Sequence, residues 1–404
     1  MGTISQLHAR TRPIAHRIQS EEEALEVARA LAADFMPRAS DRDINRLLPH
    51  DELDALSQSG LLGISVPSEY GGLDVSNSIL ADVAATLAEA DPSVGQIPQV
   101  HFHILEALRN DGSEEQRKFF FERALTGDRF VTAVSEPGND DTRIAPDGLG
   151  YRITGRMHHS TGILFADWIA VIAPDPGGRT VISFLSRDAE GIQAIDDWDG
   201  FGQRTTGSGT ITLNNVYANA DAVLHRDAGS QRLTTVGLVG EIIHAGIDLG
   251  IARAAFREAL DFVKSKAQPL TRSGVGSGIE RAADDPLILS RIGEIAIRLE
   301  TAAAIVERAG KKIDIGQIDP KEANLIDAML SVAAAKVLTG EIALEASNTL
   351  FELAGISATR IGLNLDRHWR NARTHTLLNP LPRMYYEIGN YHLNRVTPPE
   401  GSIF

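Results

Sequence analysis

Cysteine is absent from all 404 residues, which excludes disulfides and thiolate metal sites and suits a cytoplasmic protein. Positive charge is in short supply: 39 Lys and Arg face 54 Asp and Glu, a net charge of −15. The acidic residues are spread through helical segments rather than gathered in a tail. Such a field opposes non-specific binding to nucleic acid or to anionic membranes. No apolar run approaches the roughly 20 residues of a membrane-spanning helix. Residues 1–20 carry His8, Arg10, Arg12, His16 and Arg17 but no hydrophobic signal core. There is no His-x-x-x-His pair of the metal-binding type. His101 and His103 lie two apart, a spacing that a helix does not place on one face. His158 and His159, adjacent on a strand, point to opposite sides. Dinucleotide signatures are missing too. The stretch Ser273–Gly278 contains Gly-x-Gly, but no strand precedes it and no phosphate-binding helix start follows, so it reads as a mobile loop.

What remains is a chain that is 43% apolar, enough for a well-buried core and two or three domains. Residues 1–127 read as helical. Ser20 with Glu23 forms a capping box ahead of Ala24, Leu25, Val27, Ala28 and Leu31. Residues 51–57 and 80–90 are further helices, Asp91-Pro92 opens another, and Ser113 with Glu115 and Gln116 starts the one carrying Phe119, Phe120 and Phe121. Between 128 and 228 the texture changes. Residues 130–135, 151–158, 168–173, 180–185 and 210–217 are short, β-branched or aromatic, and separated by Gly, Pro, Asp and Asn. That is the pattern of a small antiparallel β domain. From 229 to 404 helical periodicity returns, with long segments at 234–267, 285–313 and 320–353, and Asp319-Pro320-x-Glu322 as the start of the third. Their Ala and Gly content permits close packing in a bundle. The fold class is therefore α+β, mostly α.

Residues 366–380 concentrate chemistry. Three arginines (367, 370, 373), Trp369 and two histidines (368, 375) occur with no acidic side chain after Asp366. If 366–376 is a helix, Trp369, Arg370, Arg373 and His375 cannot all face solvent. Trp369 reads as core. A cationic helix ending near an imidazole suits the wall of a site for an anionic, redox-active ligand, although salt bridges to acidic helices explain Arg367 and Arg373 equally well.

Three segments resemble the acyl-CoA dehydrogenase superfamily, in family order and across nearly the whole chain. They are Ala133-Val-Ser-Glu-Pro-Gly138 (the flavin strand and turn, with Glu136 in a structural turn), Thr154 through Trp168, and Arg370-Asn-Ala-Arg373. The stretches Gly95-Gln-Ile-Pro…His101-Phe, Asp196 through Gly209, and Asp366 through Leu377 are similar to the branch of flavin-dependent desulfurisation monooxygenases. The resemblance implies a C-terminal four-helix bundle, a homotetramer built as a dimer of dimers, and a flavin between the β domain and the bundle. The dehydrogenases' catalytic glutamate falls at Asn379, and an amide cannot take a proton. Glu241 and Glu258 are alternative carboxylates on neighbouring helices.

Carried over residue by residue, the resemblance puts Thr161 at the flavin N5, Ser135 at the pyrimidine edge and Trp198 beside the ring. Ser208 lies near the substrate, His375 is the proton donor and His101 lines the pocket. By itself Thr161 is an ordinary β-former; its spacing to Gly155, Ala166 and Asp167 favours the cofactor role. Several positions depart from the branch. Leu378 replaces a second histidine, Thr132 an asparagine, and Gln268 and Ser357 two phosphate arginines. Lys264, Lys266, Arg272 or Arg360 are available as substitute cations, and Lys266 and Thr359 complete the cofactor-binding set. Asp141 replaces a serine beside the pyrophosphate of FAD, which favours FMN. The implied activity is oxygen transfer from O2 to sulfur, or to N or C, of a small uncharged molecule. With no nicotinamide site, reduced FMN would come from a separate reductase. The alternatives are a flavin-dependent desaturase on a non-CoA substrate and a flavin-depleted scaffold.

Overall fold

The computed structural model describes residues 13–135, 142–225, 233–270, 279–378 and 380–398. The Glu136–Gly138 turn, Asp141, Arg272, the Ser273–Gly278 loop and Asn379 lie outside them. Helices α1 (Glu21–Asn45), α2 (His50–Gln58), α3 (Asn77–Ala90), α4 (Pro92–Gln96), α5 (Gln99–Asp111) and α6 (Glu114–Leu125) come first. Their starts follow capping chemistry. At α6 the reciprocal box is complete, Ser113 accepting from Gln116 N–H and Gln116 from Ser113 N–H. At α1 only half forms. Ser20 Oγ accepts from Glu23 N–H at 3.2 Å, but the Glu23 carboxylate turns back to the Gln19 N–H and His16. Asp91 caps α4 through the Ser93 and Val94 N–H groups, with Pro92 in the first turn.

The β region holds eight strands: β1 (Phe130–Val134), β2 (Arg143–Asp147), β3 (Gly150–Ser160), β4 (Trp168–Pro174), β5 (Thr180–Ser186), β6 (Ile192–Ile195), β7 (Gly209–Asn219) and β8 (Val223–His225). They form two four-stranded sheets, ordered β1-β4-β5-β8 and β2-β3-β7-β6. β6 and β8 are too short to announce themselves by alternation, and β2 holds Pro146 and a single buried residue, Ile144. The expected all-antiparallel sheet needs one correction, because β1 pairs with β4 in parallel. An apolar core built from Val131, Ile153, Met157, Ile169, Ile211 and Val216 lies between the sheets.

Helices α7 (Val236–Ser265), α8 (Pro286–Ile318), α9 (Glu322–Ala354), α10 (Asp366–Thr376) and α11 (Leu381–Asn394) follow. The Asp-Pro device works at α8, where Asp285 accepts from Leu287 N–H at 2.9 Å and Pro286 stands first. It does not work at α9. Lys321 is the cap there, and Asp319 ends α8 with its carboxylate on Lys321 Nζ at 2.8 Å and Asn324 Nδ2 at 3.2 Å. One continuous core runs from α1, α3 and α5 through Phe120, Phe130, Trp168 and Phe184 into α7, α8 and α9. Helix α7 sits directly on α3: a side chain at Gly246 or Gly250 would collide with the Ala81 or Ala85 carbonyl. Among the described residues no helix is long and apolar enough to cross a membrane, and no cluster of three or more His, Asp or Glu side chains is arranged to hold a metal ion.

Candidate active site

Helix α10 spans the residues expected of it, and its burial explains why. His368, Asn371, Ala372, His375 and Thr376 are buried, a stripe at helical spacing. Two of the three arginines of the expected cationic wall are already neutralised. Arg370 pairs with Asp43 and Asp366, and Arg367 with Glu258, all within this chain. Trp369, expected in the core, is 36% exposed and stacks on Phe201 at 6.0 Å. Glu258 also meets His368 at 3.1 Å, and although burial opposes its ionisation, His368 and Arg367 hold its carboxyl down at about 2. Such a carboxylate is a weak base.

Inward, α10 delivers His375 to α7 and α9. His375 is fully buried, and its Nδ1–H donates to Asp248 Oδ1 at 2.5 Å. Asp248 Oδ2 accepts from Lys336 Nζ at 2.7 Å. Burial resists charge on Asp248, but Lys336 and His375 outweigh it and keep the carboxyl below its usual range. Burial holds His375 neutral, below the usual imidazole value. Its Nε2 is then an acceptor, and the partner is His244 Nδ1 at 2.9 Å. Neither His244, Asp248 nor Lys336 stood out in the sequence. The available signal was His244 and Asp248 at i, i+4 inside an otherwise apolar helix.

The second cluster is made of hydroxyls. The β3–β7 ladder sets Ser160 opposite Gly209, which brings the flanking residues together. Thr161 Oγ1 lies 3.1 Å from Ser208 Oγ, and Ser208 Oγ lies 2.7 Å from Thr206 Oγ1. Thr206 Oγ1 and Trp198 Nε1 both donate to the Gln203 carbonyl, at 3.0 and 2.9 Å. Gln203 adopts φ +50° and donates its N–H to Asn371 Oδ1 of α10 at 2.7 Å. Thr132 and Ser135 lie on and just after β1, the strand that borders this cluster. A side chain at Gly162 would meet Val131 of β1 at 3.4 Å and Ile97 at 3.2 Å.

These contacts close into a ring. Gly162 meets Ile97 at the α4–α5 junction; Gln99 and His103 of α5 meet Gly240 of α7; His244 of α7 meets His375 of α10; Arg370 and Thr374 of α10 meet Gly202; and Thr206 accepts the Gly162 N–H. Among the described residues, Gln96 Oε1, both amide atoms of Gln203 and Thr374 Oγ1 are buried on this ring without hydrogen-bond partners. Buried hydrogen-bonding groups left unpaired cost about 1–3 kcal/mol, so these atoms are available to bond a polar ligand.

Other expected residues fall elsewhere. His101 is 1% exposed; its Nε2–H donates to the Leu62 carbonyl at 2.8 Å and its Nδ1 accepts the Phe130 N–H at 3.2 Å. Burial drives its imidazole down to about 4. His101 lines a small apolar cavity with Ile97, Val131, Gly162 and Phe165, but with both nitrogens engaged by backbone it pins β1 to the helices and has no free ring nitrogen for catalysis. Lys266 and Thr359 are exposed at the far end of the bundle, Lys266 over the Phe262 ring and Thr359 on the Ile356 carbonyl. Lys266 is 22 residues beyond His244 on α7, roughly 33 Å along the axis. One chain does not bring it to the hydroxyl cluster. Glu241 lines a small apolar cavity between α7, α9 and α11, with Leu238, Met329, Val332, Met384 and Ile388, and burial pushes its carboxyl up to about 7. Leu378 is 51% exposed.

Helices on either side of a small two-sheet module, with a ring of contacts between them, define the acyl-CoA dehydrogenase fold. The profile of the acyl-CoA dehydrogenase N-terminal domain matches residues 19–128, and that of the C-terminal domain residues 242–380. The chain belongs to the acyl-CoA dehydrogenase family. Within it, the similarity is to flavin-dependent monooxygenases. The "Probable FMNH2-dependent monooxygenase SfnC" of Pseudomonas putida is 30% identical, covering 93% of this chain and 96% of that one. The FMN-bound dibenzothiophene monooxygenase TdsC of Paenibacillus sp. A11-2 superposes with a TM-score of 0.86 at 30% identity, over 94% of this chain and 100% of that one. Methanesulfinate monooxygenase MsuC of Pseudomonas fluorescens gives 0.87 at 30% identity, over 94% and 99%.

Proposed function

We propose that this protein is a reduced-FMN-dependent monooxygenase that transfers one atom of O2 to the sulfur of a small uncharged organic molecule. The observation that carries this reading is the buried amide of Gln203, unpaired among the described residues, beside the linked Thr161–Ser208–Thr206 hydroxyls. Hydroxyls and amides without counter-ions fit the edge of a neutral heteroaromatic ring. Thr161 and Ser208 would hold one edge of the isoalloxazine, Ser135 and Thr132 its pyrimidine side, and Trp198 would flank it. Reduced FMN, when bound, supplies the electrons that activate dioxygen.

The chain's own residues then have three tasks. The β-domain hydroxyls orient the ring. The apolar α5 and α7 faces exclude water, so that oxygen is not lost as peroxide. The histidines of α7 and α10 manage protons. Asn379 stands where a dehydrogenase has its base, and Glu258 is locked in ion pairs. A desaturase would therefore depend on Glu241. We place the protein in the cytoplasm as a homotetramer, a dimer of dimers in which another copy supplies Lys266 and Thr359 to the FMN phosphate. A separate reductase delivers FMNH2.

The test is direct. Purified protein should quench added FMN fluorescence. With photoreduced FMN and small organosulfur compounds it should yield S-oxygenated product with little H2O2. Oxygen consumption that returns only H2O2, as free reduced FMN gives, would refute the assignment. Loss of activity in Glu241→Gln together with an oxygen-independent product would favour the desaturase.

A further inference from the structure

His375 was expected to be the proton donor, but the geometry denies it access. Its side chain is 0% exposed, Nδ1 is held by Asp248 and Nε2 by His244. His244 is different. From Val236 to Ala252 on α7, every residue is fully buried except Gly237 and His244, which are half-buried. Its Nδ1 faces His375, and no described residue bonds its Nε2.

The tautomers follow in order. Lys336 fixes Asp248 as a carboxylate, which can only accept, so His375 carries its hydrogen on Nδ1. His375 Nε2 is then a lone pair, and His244 must carry its hydrogen on Nδ1 to reach it. That leaves His244 Nε2 as a basic nitrogen at the open end of a four-residue chain. It sits one helical turn from Gly240, on the ring that also carries Gln96 and Gln203.

We propose that His244 is the catalytic acid–base group that exchanges a proton with the reactants, while His375, Asp248 and Lys336 are positioning residues that set its tautomer and orientation. This rests on the oxygenase reading for the reaction but not for the chain. The proton balance is simple. His244 Nε2 takes a proton from hydronium, releasing water, the imidazolium stays bonded to His375 through Nδ1–H, and Nε2–H gives the proton to an oxygen anion formed beside it. The ring returns to neutral.

Every charged or titratable neighbour shapes that donor. Facing it are His375 from α10, His103 from α5 and Lys336 from α9, with Glu241 and Asp248 on α7 itself. Burial, then His375, Lys336 and His103, hold the His244 imidazole well below its usual value. A weak base of this kind is a strong acid once protonated.

Long-range 1H–15N correlation on histidine-labelled, flavin-free protein tests the chain without any turnover. Hydrogen on Nδ1 and a lone pair on Nε2 are expected for both His244 and His375. A His244 with hydrogen on Nε2 overturns the proposal. His244→Gln should lower product formation by at least ~100-fold, diverting oxygen to H2O2 while FMN quenching persists. His375→Gln should let His244 change tautomer. Lys336→Met should move the pH midpoint of product formation upward, since a cation that disfavours imidazolium is gone. Wild-type product yield and pH profile in His244→Gln also overturn it. Should wild-type protein oxygenate nothing while the tautomers stand as stated, the oxygenase assignment falls and the chain survives.

Discussion

Arg42 among the N-terminal helices and Lys336 in the bundle are both buried cations pinned by carboxylates, and the two clusters are finished differently. Arg42 donates to Glu52 at 2.5 Å, to Asp91 at 2.8 Å and to the Phe35 carbonyl at 2.7 Å, and the other Asp91 oxygen caps α4. Every charge ends on a fixed partner. The Lys336 chain instead runs from a cation through Asp248 and His375 to a ring nitrogen with no hydrogen-bond partner among the described residues. Buried ionic groups are therefore not themselves the mark of a site. A chain that starts closed and finishes open is.

The comparison can be broken most forcefully at the cations. Arg42→Met and Lys336→Met should each cost about 3–5 kcal/mol in urea unfolding, because each strands buried carboxylate charge. Only Lys336→Met should also move the pH profile of product formation. Equal effects of both on that profile would erase the distinction. His101 offers the same contrast within one residue type. The unfolded chain protonates it below its ordinary 6.5, the folded chain only near 4. The stability it contributes is therefore complete above pH 6.5 and lost as pH falls toward 4, by up to about 3 kcal/mol. His101→Phe should flatten that acid limb and cost about 1–3 kcal/mol for each backbone group left unbonded. An unchanged acid limb in chemical denaturation would mean that His101 is not the closed imidazole described. Thr161→Val sharpens the other side. It removes the hydroxyl that Ser208 meets and should weaken FMN quenching by about tenfold, roughly one good hydrogen bond, without a change in stability beyond about 1 kcal/mol. The smallest effect belongs to the outer face of α10. Trp369→Ala gives up the stack on Phe201 and should cost only about 0.5–1.5 kcal/mol in the same unfolding assay.

The sequence made some parts of this contrast legible and not others, for physical reasons. Helix α10 was readable because its apolar and charged positions follow the helical repeat, and α7, α8 and α9 because they are long. Helix α11 was not singled out: none of its residues is fully buried, and its facing stripe is only the half-buried Leu381, Met384 and Ile388. The parallel β1–β4 pair depends on a partner 38 residues away, which alternation within a strand does not encode. At the candidate site, Thr161, Ser208 and Trp198 were expected from the family resemblance, and their side chains are linked through Thr206 and the Gln203 carbonyl. The proton chain was not expected, because Lys336 lies 88 residues from Asp248 and His375 lies 127 from it. Each looks like an isolated polar residue until the helices pack. Trp369 misled in the opposite direction, its size suggesting burial where α10 presents it to the rim.

Gly202 has a practical consequence. Any side chain there would strike the Arg370 carbonyl and the Thr374 hydroxyl, while the neighbouring Gln203 N–H is claimed by Asn371. Loop 196–209 and α10 are thus keyed to one another like lock and bolt. Swapping the loop alone for a cousin's version, in order to redirect substrate choice, would jam the fit. Engineers who exchange both pieces as one cassette would retain the seating and could vary the rest.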